Sequence, residues 1–219
     1  MRVISRKIGL VDYESCWEAM RSFNKIRTST DLDEIWSVEH FSVYTLGKTF
    51  DSGGAPFSEL GIPVVKSDRG GKITYHGRGQ LILYVLLNVR RMRFGPKELV
   101  ISLERGIIDY LLSFGIVANG RRDAPGVYVR NKKIASLGLR FANGSSYHGL
   151  ALNVDMDMAP FEWINPCGIE GLSMTQLSDL GVKYDLDMVS AGLRQKLYDR
   201  LYPGSTVSEI LAEGFPGEV

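Results

Sequence analysis

Lys133-Ile134-Ala135-Ser136-Leu137-Gly138-Leu139-Arg140-Phe141-Ala142-Asn143-Gly144-Ser145-Ser146-Tyr147-His148-Gly149-Leu150-Ala151-Leu152-Asn153-Val154 is the stretch whose reading decides the fold class. Asn143-Gly144 is the strongest turn signal in the chain, because Asn and Gly both tolerate the positive φ that a two-residue hairpin needs. It joins an expected strand over 133–141 to another over 146–154. A shorter strand over 127–129 turns into the first of these around Asn131-Lys132. Three consecutive antiparallel strands are therefore expected here.

Working outward, residues 80–89 are almost wholly apolar and predict a strand buried on both faces. Residues 35–46 and 62–66 also predict strands, the former from its β-branched and aromatic content. A helix is expected over 12–27, capped by Asp12, with Tyr13, Cys16, Trp17, Met20 and Phe23 at helical spacing. Pro96 opens a second helix that runs to Phe114, just before Gly115. A third is expected over 185–201, with a short one near 206–213. Strands and helices mix without regular βαβ alternation. The expected class is α+β, with a mixed, mostly antiparallel sheet and flanking helices. The length of 219 residues fits a single domain spanning 1–219, with room for a small appendage.

An apolar fraction of 44% suffices for a sizeable core, and a net charge of +1 gives no sign of a nucleic-acid partner. No apolar run is long enough to span a membrane, and residues 1–7 lack a signal-peptide core. Two cysteines without a framework pattern fit a reducing compartment, so a cytoplasmic location is expected. No CxxC pair or HExxH motif suggests a metal site.

Three constellations carry chemistry. Arg69-Gly70-Gly71-Lys72-Ile73-Thr74-Tyr75-His76-Gly77-Arg78-Gly79-Gln80 packs glycines around a short strand, which lets backbone approach a ligand closely. It is neither a P-loop nor a dinucleotide fingerprint. Lys133 shares a strand face with Ala135, Leu137 and Leu139, an unusual place for an ammonium, which is costly to bury. Cys167 lies in Asn165-Pro166-Cys167-Gly168-Ile169, between a residue with fixed φ and one without a side chain. That setting opens a thiol to a ligand, although free cysteines are most often core, as expected for Cys16. His76 and His148, both beside glycines, are candidate bases, while His40 has no such context. Spacing alone does not separate a Cys–His pair from a Cys–Lys pair.

RGGKITYHGRGQL, DAPGVYVRNKKIASLGLR and SYHGLALNVDMDMAPFEWINPCGIEG, in that order, closely resemble the lipoyl(octanoyl) transferase family, also called lipoate–protein ligase B. The resemblance spans about residues 40–180. It implies a fold like the catalytic domains of biotin and lipoate ligases. It implies transfer of an octanoyl group from octanoyl-acyl carrier protein to a lysine of lipoyl domains in 2-oxoacid dehydrogenases and of the glycine cleavage H protein, a first step of protein lipoylation. The family's catalytic cysteine and lysine fall on Cys167 and Lys133. Its acyl-binding segments fall on Arg69, Gly70, Gly71, Lys72, Ile73, Thr74, Tyr75 and His76, on Ser136, Leu137 and Gly138, and on Gly149, Leu150 and Ala151, with His148 alongside. No cofactor is implied, neither ATP nor metal, because a thioester is already activated. Arg78 departs from the family, which more often carries proline there.

The expected path runs through an acyl-thioester on Cys167, with Lys133 as proton acceptor and the histidines orienting. Backbone N–H groups around Cys167-Gly168 are expected to hold the oxyanion. Tyr75, Tyr84, Leu137, Leu150 and Leu152 are expected walls of the acyl slot. Two basic clusters, Arg90, Arg91, Arg93 and Lys97, and Arg121 and Arg122, are expected to meet the acidic carrier. The alternatives are an ATP-dependent ligase of the same fold, an idle lipoyl-domain-binding protein, and a Cys–His hydrolase.

Overall fold

The computed structural model describes residues 1–50, 61–92, 94–169 and 171–217, and of Cys167 the backbone alone. The strands are β1 (Arg2–Val11), β2 (Asp33–His40), β3 (Val43–Leu46), β4 (Val64–Lys66), β5 (Ile73–His76), β6 (Gln80–Leu86), β7 (Asn119–Gly120), β8 (Gly126–Val129), β9 (Lys132–Ala142), β10 (Ser145–Asn153) and β11 (Ser208–Glu213). The helices are α1 (Tyr13–Ile26), α2 (Val89–Met92), α3 (Pro96–Leu112) and α4 (Leu186–Leu201). Among the described residues they build an eight-stranded sheet of order β11-β1-β2-β6-β10-β9-β8-β7 and a three-stranded sheet of order β4-β3-β5. The large sheet is parallel at β11–β1–β2 and antiparallel elsewhere, so it is mixed, as expected.

Alternation along β6 explains the layering. Leu81, Leu83 and Val85 pack with α3 and α4, through Leu99, Leu103, Leu193 and Leu197. Ile82, Tyr84 and Leu86 pack with Cys16 and Met20 of α1 and with Trp36. Cys16 is thus core, and burial pushes its thiol pKa up. Each fully buried Leu or Ile contributes about 1.5–3 kcal/mol, which makes β6 the strand that joins both layers. The small sheet has its own core of Tyr44, Ile73, Tyr75, Phe161 and Ile164.

The Asn143-Gly144 hairpin forms with φ of 54° and 78°. The preceding hairpin turns one residue earlier than expected, at Arg130-Asn131 (φ 48° and 67°), which leaves Lys132 inside β9 opposite Val129. Residues 35–46 are two strands in two sheets, because the chain leaves the large sheet after His40 to begin the small one. Asp12 stands at the N-cap of α1, yet its side chain makes no capping hydrogen bond. Residues 206–213 are not a helix. Ser208–Glu213 pairs in parallel with Arg2–Lys7, and the unfilled backbone groups of β1's edge outweigh the local propensity. No described helix is long and apolar enough to cross a membrane.

Gly106 of α3 sets the approach of α4, since a Cβ there would lie 2.6 Å from Leu197 Cδ2. Gly106→Leu is therefore expected to destabilise the fold by about 1–3 kcal/mol through overpacking, read as a lower urea midpoint with an unchanged m-value.

Candidate active site

A cavity of about 570 Å³, counted with its open mouth, lies where the α1 face of the large sheet meets the small sheet. Its floor is the centre of β9 and β10, where Gly149 pairs with Gly138 and Ala151 with Ser136. Arg69, Gly71, Lys72, Ile73, Thr74 and His76 form the opposite side. Lys133, Leu137, Leu150 and His148 also line it, with Pro166. Gly70 and Tyr75 stand behind this wall. Gly70 N–H donates to Leu139 O (3.0 Å), and Tyr75 packs edge-on against Phe161 in the small sheet's core. Of the expected slot walls, Tyr84, Leu137 and Leu150 border the cavity; Leu150 also belongs with Leu152 to the core cluster of α3 and α4, and Leu137 packs against it.

The glycine segment is clamped from two sides. Arg69 donates to Thr45 Oγ1 and O (2.6–3.0 Å) and to Gly70 O (3.0 Å), tying β3 to the loop. Gly47 and Thr49 donate to Lys72 O and Gly71 O, and a Cβ on Gly47 would lie 2.2 Å from Gly71 O.

Lys133 is 1% exposed, so its ammonium must find partners or forfeit several kcal/mol. Nζ donates to Pro125 O (3.0 Å) and sits 5.6 Å from the Tyr128 ring centroid. Gly126 makes the room, since a Cβ there would lie 2.4 Å from Lys133 Cε. Glu104 of α3 accepts from Gly126 N (2.8 Å), and burial raises its carboxyl pKa against the pull of that bond and of Lys133. The Lys133 backbone is stitched to the segment leaving the site, with N donating to Ser173 O and O accepting from Thr175 N (both 2.9 Å).

Cys167 is the middle residue of a 3₁₀ turn, Pro166–Gly168, and its side chain lies outside the described residues. Lys72 extends across this turn: a Cβ on Gly168, whose φ is 69°, would lie 2.2 Å from Lys72 Nζ. Gly168 N–H, one expected oxyanion donor, already donates to Asn165 O (2.9 Å).

All three histidines gather at the site, buried and in defined tautomers. His40 Nδ1–H donates to Val11 O (2.8 Å), so its Nε2 accepts from Tyr84 OH (2.7 Å). Burial depresses His40 to about 4. His76 Nδ1 meets Gln80 Oε1 (2.7 Å) and its ring stacks on Tyr13 at 5.8 Å. Burial, with His40 nearby, depresses it to about 3. His148 Nε2 donates to Asp68 (2.8 Å), and burial lowers its pKa despite that bond. Strand alternation would send Tyr147 and His148 to opposite faces. The positive φ of His148, 58°, instead brings both to the Asp68 carboxylate, which also accepts from Trp17 Nε1 (2.8 Å). Burial alone would raise the Asp68 pKa, but the hydrogen bonds from His148, Tyr147 and Trp17 hold it well below the usual range. Among the described residues no group of three or more His, Cys, Asp or Glu side chains is placed to hold a metal ion.

Sequence reasoning missed Tyr13, Asp68, Glu104 and Gly126, and it gave Gln80, the last residue of the glycine-rich segment, no role of its own. Tyr13 reads as one more apolar position of α1. Asp68 offers only its adjacency to Arg69 as a signal, and Gly126 only its place before a strand.

The fold is that of the lipoate and biotin ligase catalytic domains. A lipoate-protein ligase A bound with ATP superposes with a TM-score of 0.77 at 14% identity, over 96% of this chain and 90% of that one. A biotin protein ligase from Aquifex aeolicus, in complex with biotin and ATP, gives 0.56 at 14%, over 90% and 69%. The lipoyl protein ligase A/B catalytic domain family matches residues 12–197, and the chain belongs to it. An octanoyltransferase of Laribacter hongkongensis is 52% identical over 199 residues, 90% of this chain and 94% of that protein.

Gly126→Ala should push Lys133 from its place, slowing turnover at least about tenfold and costing about 1–3 kcal/mol of stability; kinetics and a urea titration check both. Asp68→Asn leaves three donors facing an amide and should cost about 1–3 kcal/mol. Because His40 and His76 titrate lower folded than unfolded, their contribution is complete above about pH 6.5 and is lost as pH falls toward about 4. Stability should drop by about 1.4 kcal/mol per pH unit per histidine in that window, and the slope should lessen in His40→Gln.

Proposed function

We propose that this chain is an octanoyltransferase that carries its acyl group on Cys167 and uses Lys133 as the proton acceptor. The donor is octanoyl-acyl carrier protein, and the acceptor is a lysine amine of apo-lipoyl domains or of the glycine cleavage H protein. Neither ATP nor a metal is required, because the thioester supplies the activation. The observation that carries the reading is the amine of Lys133, buried at a cavity bordered by Pro166, the residue before Cys167, in a chain half-identical to an octanoyltransferase.

The chemistry divides into two halves. In the first, the Cys167 thiolate attacks the thioester carbonyl, a C–S bond forms, the donor's own C–S bond breaks, and the departing carrier sulfur takes a proton from Lys133, which leaves that amine neutral. A cation beside the sulfur favours the thiolate; Lys72 Nζ lies against the turn at Gly168, and Lys133 lines the same cavity as Pro166. In the second, the acceptor amine attacks the acyl-cysteine, a C–N bond forms, the C–S bond breaks, and the amine's proton passes to Lys133. The low-polarity floor of Leu137, Gly138, Gly149, Leu150 and Ala151 suits an alkyl chain.

Of the two basic clusters, Arg90, Arg91, Lys97 and Arg122 are exposed, while Arg93 lies outside the described residues. Arg91 pairs with Asp33 and Arg121 with Asp123, so Arg90, Lys97 and Arg122 are the first candidates for charge reversal at a carrier-docking face.

Incubation with octanoyl-acyl carrier protein, without ATP, should add one octanoyl mass to the protein. The adduct should be absent in Cys167→Ala and discharge onto apo-lipoyl domain. Lys133→Ala should slow transfer by at least about a hundredfold. Strict dependence on ATP would instead identify a ligase, and release of free octanoate a hydrolase.

A further inference from the structure

Gln80, at the start of β6, is buried and lies four residues after His76. Its Nε2 donates to Asn153 Oδ1 (2.9 Å) and toward Tyr75 O (3.3 Å). Its Oε1 is therefore the acceptor, and His76 Nδ1 is the donor across their 2.7 Å contact. The proton of the neutral imidazole is thus assigned to Nδ1, and Nε2 is left as a lone-pair acceptor. The His76 ring lines the cavity, and among the described residues no group donates to its Nε2. Asn153 Nδ2 in turn donates to Thr175 O (3.0 Å), in the residue whose N–H holds Lys133 O. One chain of hydrogen bonds therefore runs from the backbone of Lys133 through Thr175, Asn153 and Gln80 to His76.

An acceptor held this firmly at a reaction cavity calls for a donor. The octanoyl thioester brings none to the reacting carbon, since its carbonyl and sulfur accept and its chain is hydrocarbon. The group that arrives there with N–H bonds is the amine of the second substrate. We propose that Gln80 is a positioning residue for the second half-reaction: it fixes His76 with Nε2 turned to the cavity, where it accepts an N–H of the attacking amine. The inference rests on the acyl-cysteine reading above. As the amine nitrogen bonds to the carbonyl carbon and the C–S bond breaks, one N–H stays hydrogen-bonded to His76 while the other proton goes to Lys133. His76 orients the amine's lone pair and takes no proton itself.

His76 is surrounded by groups that keep the imidazole neutral. Tyr13 of α1 stacks on it with its phenol raised to about 12 by burial, and His40 of β2 stands 5.9 Å away. Arg69 and His148 complete the shell, and both oppose a charge on the ring. Tyr84, the remaining titratable neighbour on β6, is engaged by His40.

The test separates the two halves in the full-length protein. Loading is followed by the mass of the octanoyl adduct, and discharge by loss of that adduct on adding apo-lipoyl domain, across about pH 5 to 8. Gln80→Met, similar in volume but without the acceptor, should slow discharge about tenfold more than loading. Gln80→Glu keeps an acceptor and adds a charge beside Nδ1–H, which raises the pKa of His76. It should restore discharge near pH 8 to within about threefold of wild type, which Gln80→Met does not. If Gln80→Met is too unstable to assay, Gln80→Glu decides alone, since discharge slowed about tenfold or more near pH 8 with normal loading overturns the proposal. Equal slowing of both halves would assign the lone pair to the carrier's pantetheine amide and overturn the proposal, as would a Gln80→Glu discharge no faster than that of Gln80→Met. A wild type that never forms the adduct overturns the acyl-cysteine reading and this inference together; a wild type that loads normally beside indifferent Gln80 variants overturns this inference only.

Discussion

The cavity exists because the middle of two paired strands carries almost no side-chain volume. Gly138 faces Gly149 and Ser136 faces Ala151, so the sheet surface sinks where neighbouring strands present Tyr84 and Ile82. A Cβ on Gly149 would lie 2.0 Å from Leu83 O, and one on Gly138 would crowd Gly70 O at 3.1 Å. The first contact would split β10 from β6, and the second would press the glycine segment away from β9 by a few tenths of an ångström. Sheet integrity, cavity depth and the placement of the clamping loop thus share one steric requirement.

Charge and hydrogen-bond supply are the second constraint. The floor is apolar, yet an ammonium and the imidazoles of His76 and His148 border it, with His40 behind His76, and each would be costly if unpaired. The structure satisfies them with backbone carbonyls and neutral side chains more than with ion pairs. Pro125 O and the Tyr128 face serve Lys133, Val11 O and Tyr84 serve His40, and Gln80 serves His76. Asp68 is the exception, a carboxylate with three donors that ties α1, the glycine segment and β10 together. Low polarity with fixed dipoles is the environment in which a thioester can be attacked by an amine while water is kept away.

Much of this was legible from the chain. The Asn143-Gly144 hairpin, the doubly buried β6 and the helices at α1, α3 and α4 follow from turn chemistry and periodicity, which are local. The motif residues on β5, β9 and β10 converge on one cavity, with Gly70 and Tyr75 set behind it. What local reasoning lost depended on distant partners. Ser208–Glu213 is a strand only because β1 offers an open edge some 200 residues earlier in sequence. Residues 35–46 divide because two sheets compete for them. His148 leaves the strand alternation because Asp68, 80 residues away, claims its Nε2.

By itself the sequence determined the class of fold, the family, and the residue types that meet at the site, because those rest on periodicity and on long ordered motifs. Only the tertiary structure decided which partner each histidine nitrogen meets, which glycine makes room for Lys133, and which arginines are already engaged. The reason is physical: tautomers, steric allowances and ion pairs are properties of atoms in contact, and the contacts join positions that no spacing rule relates.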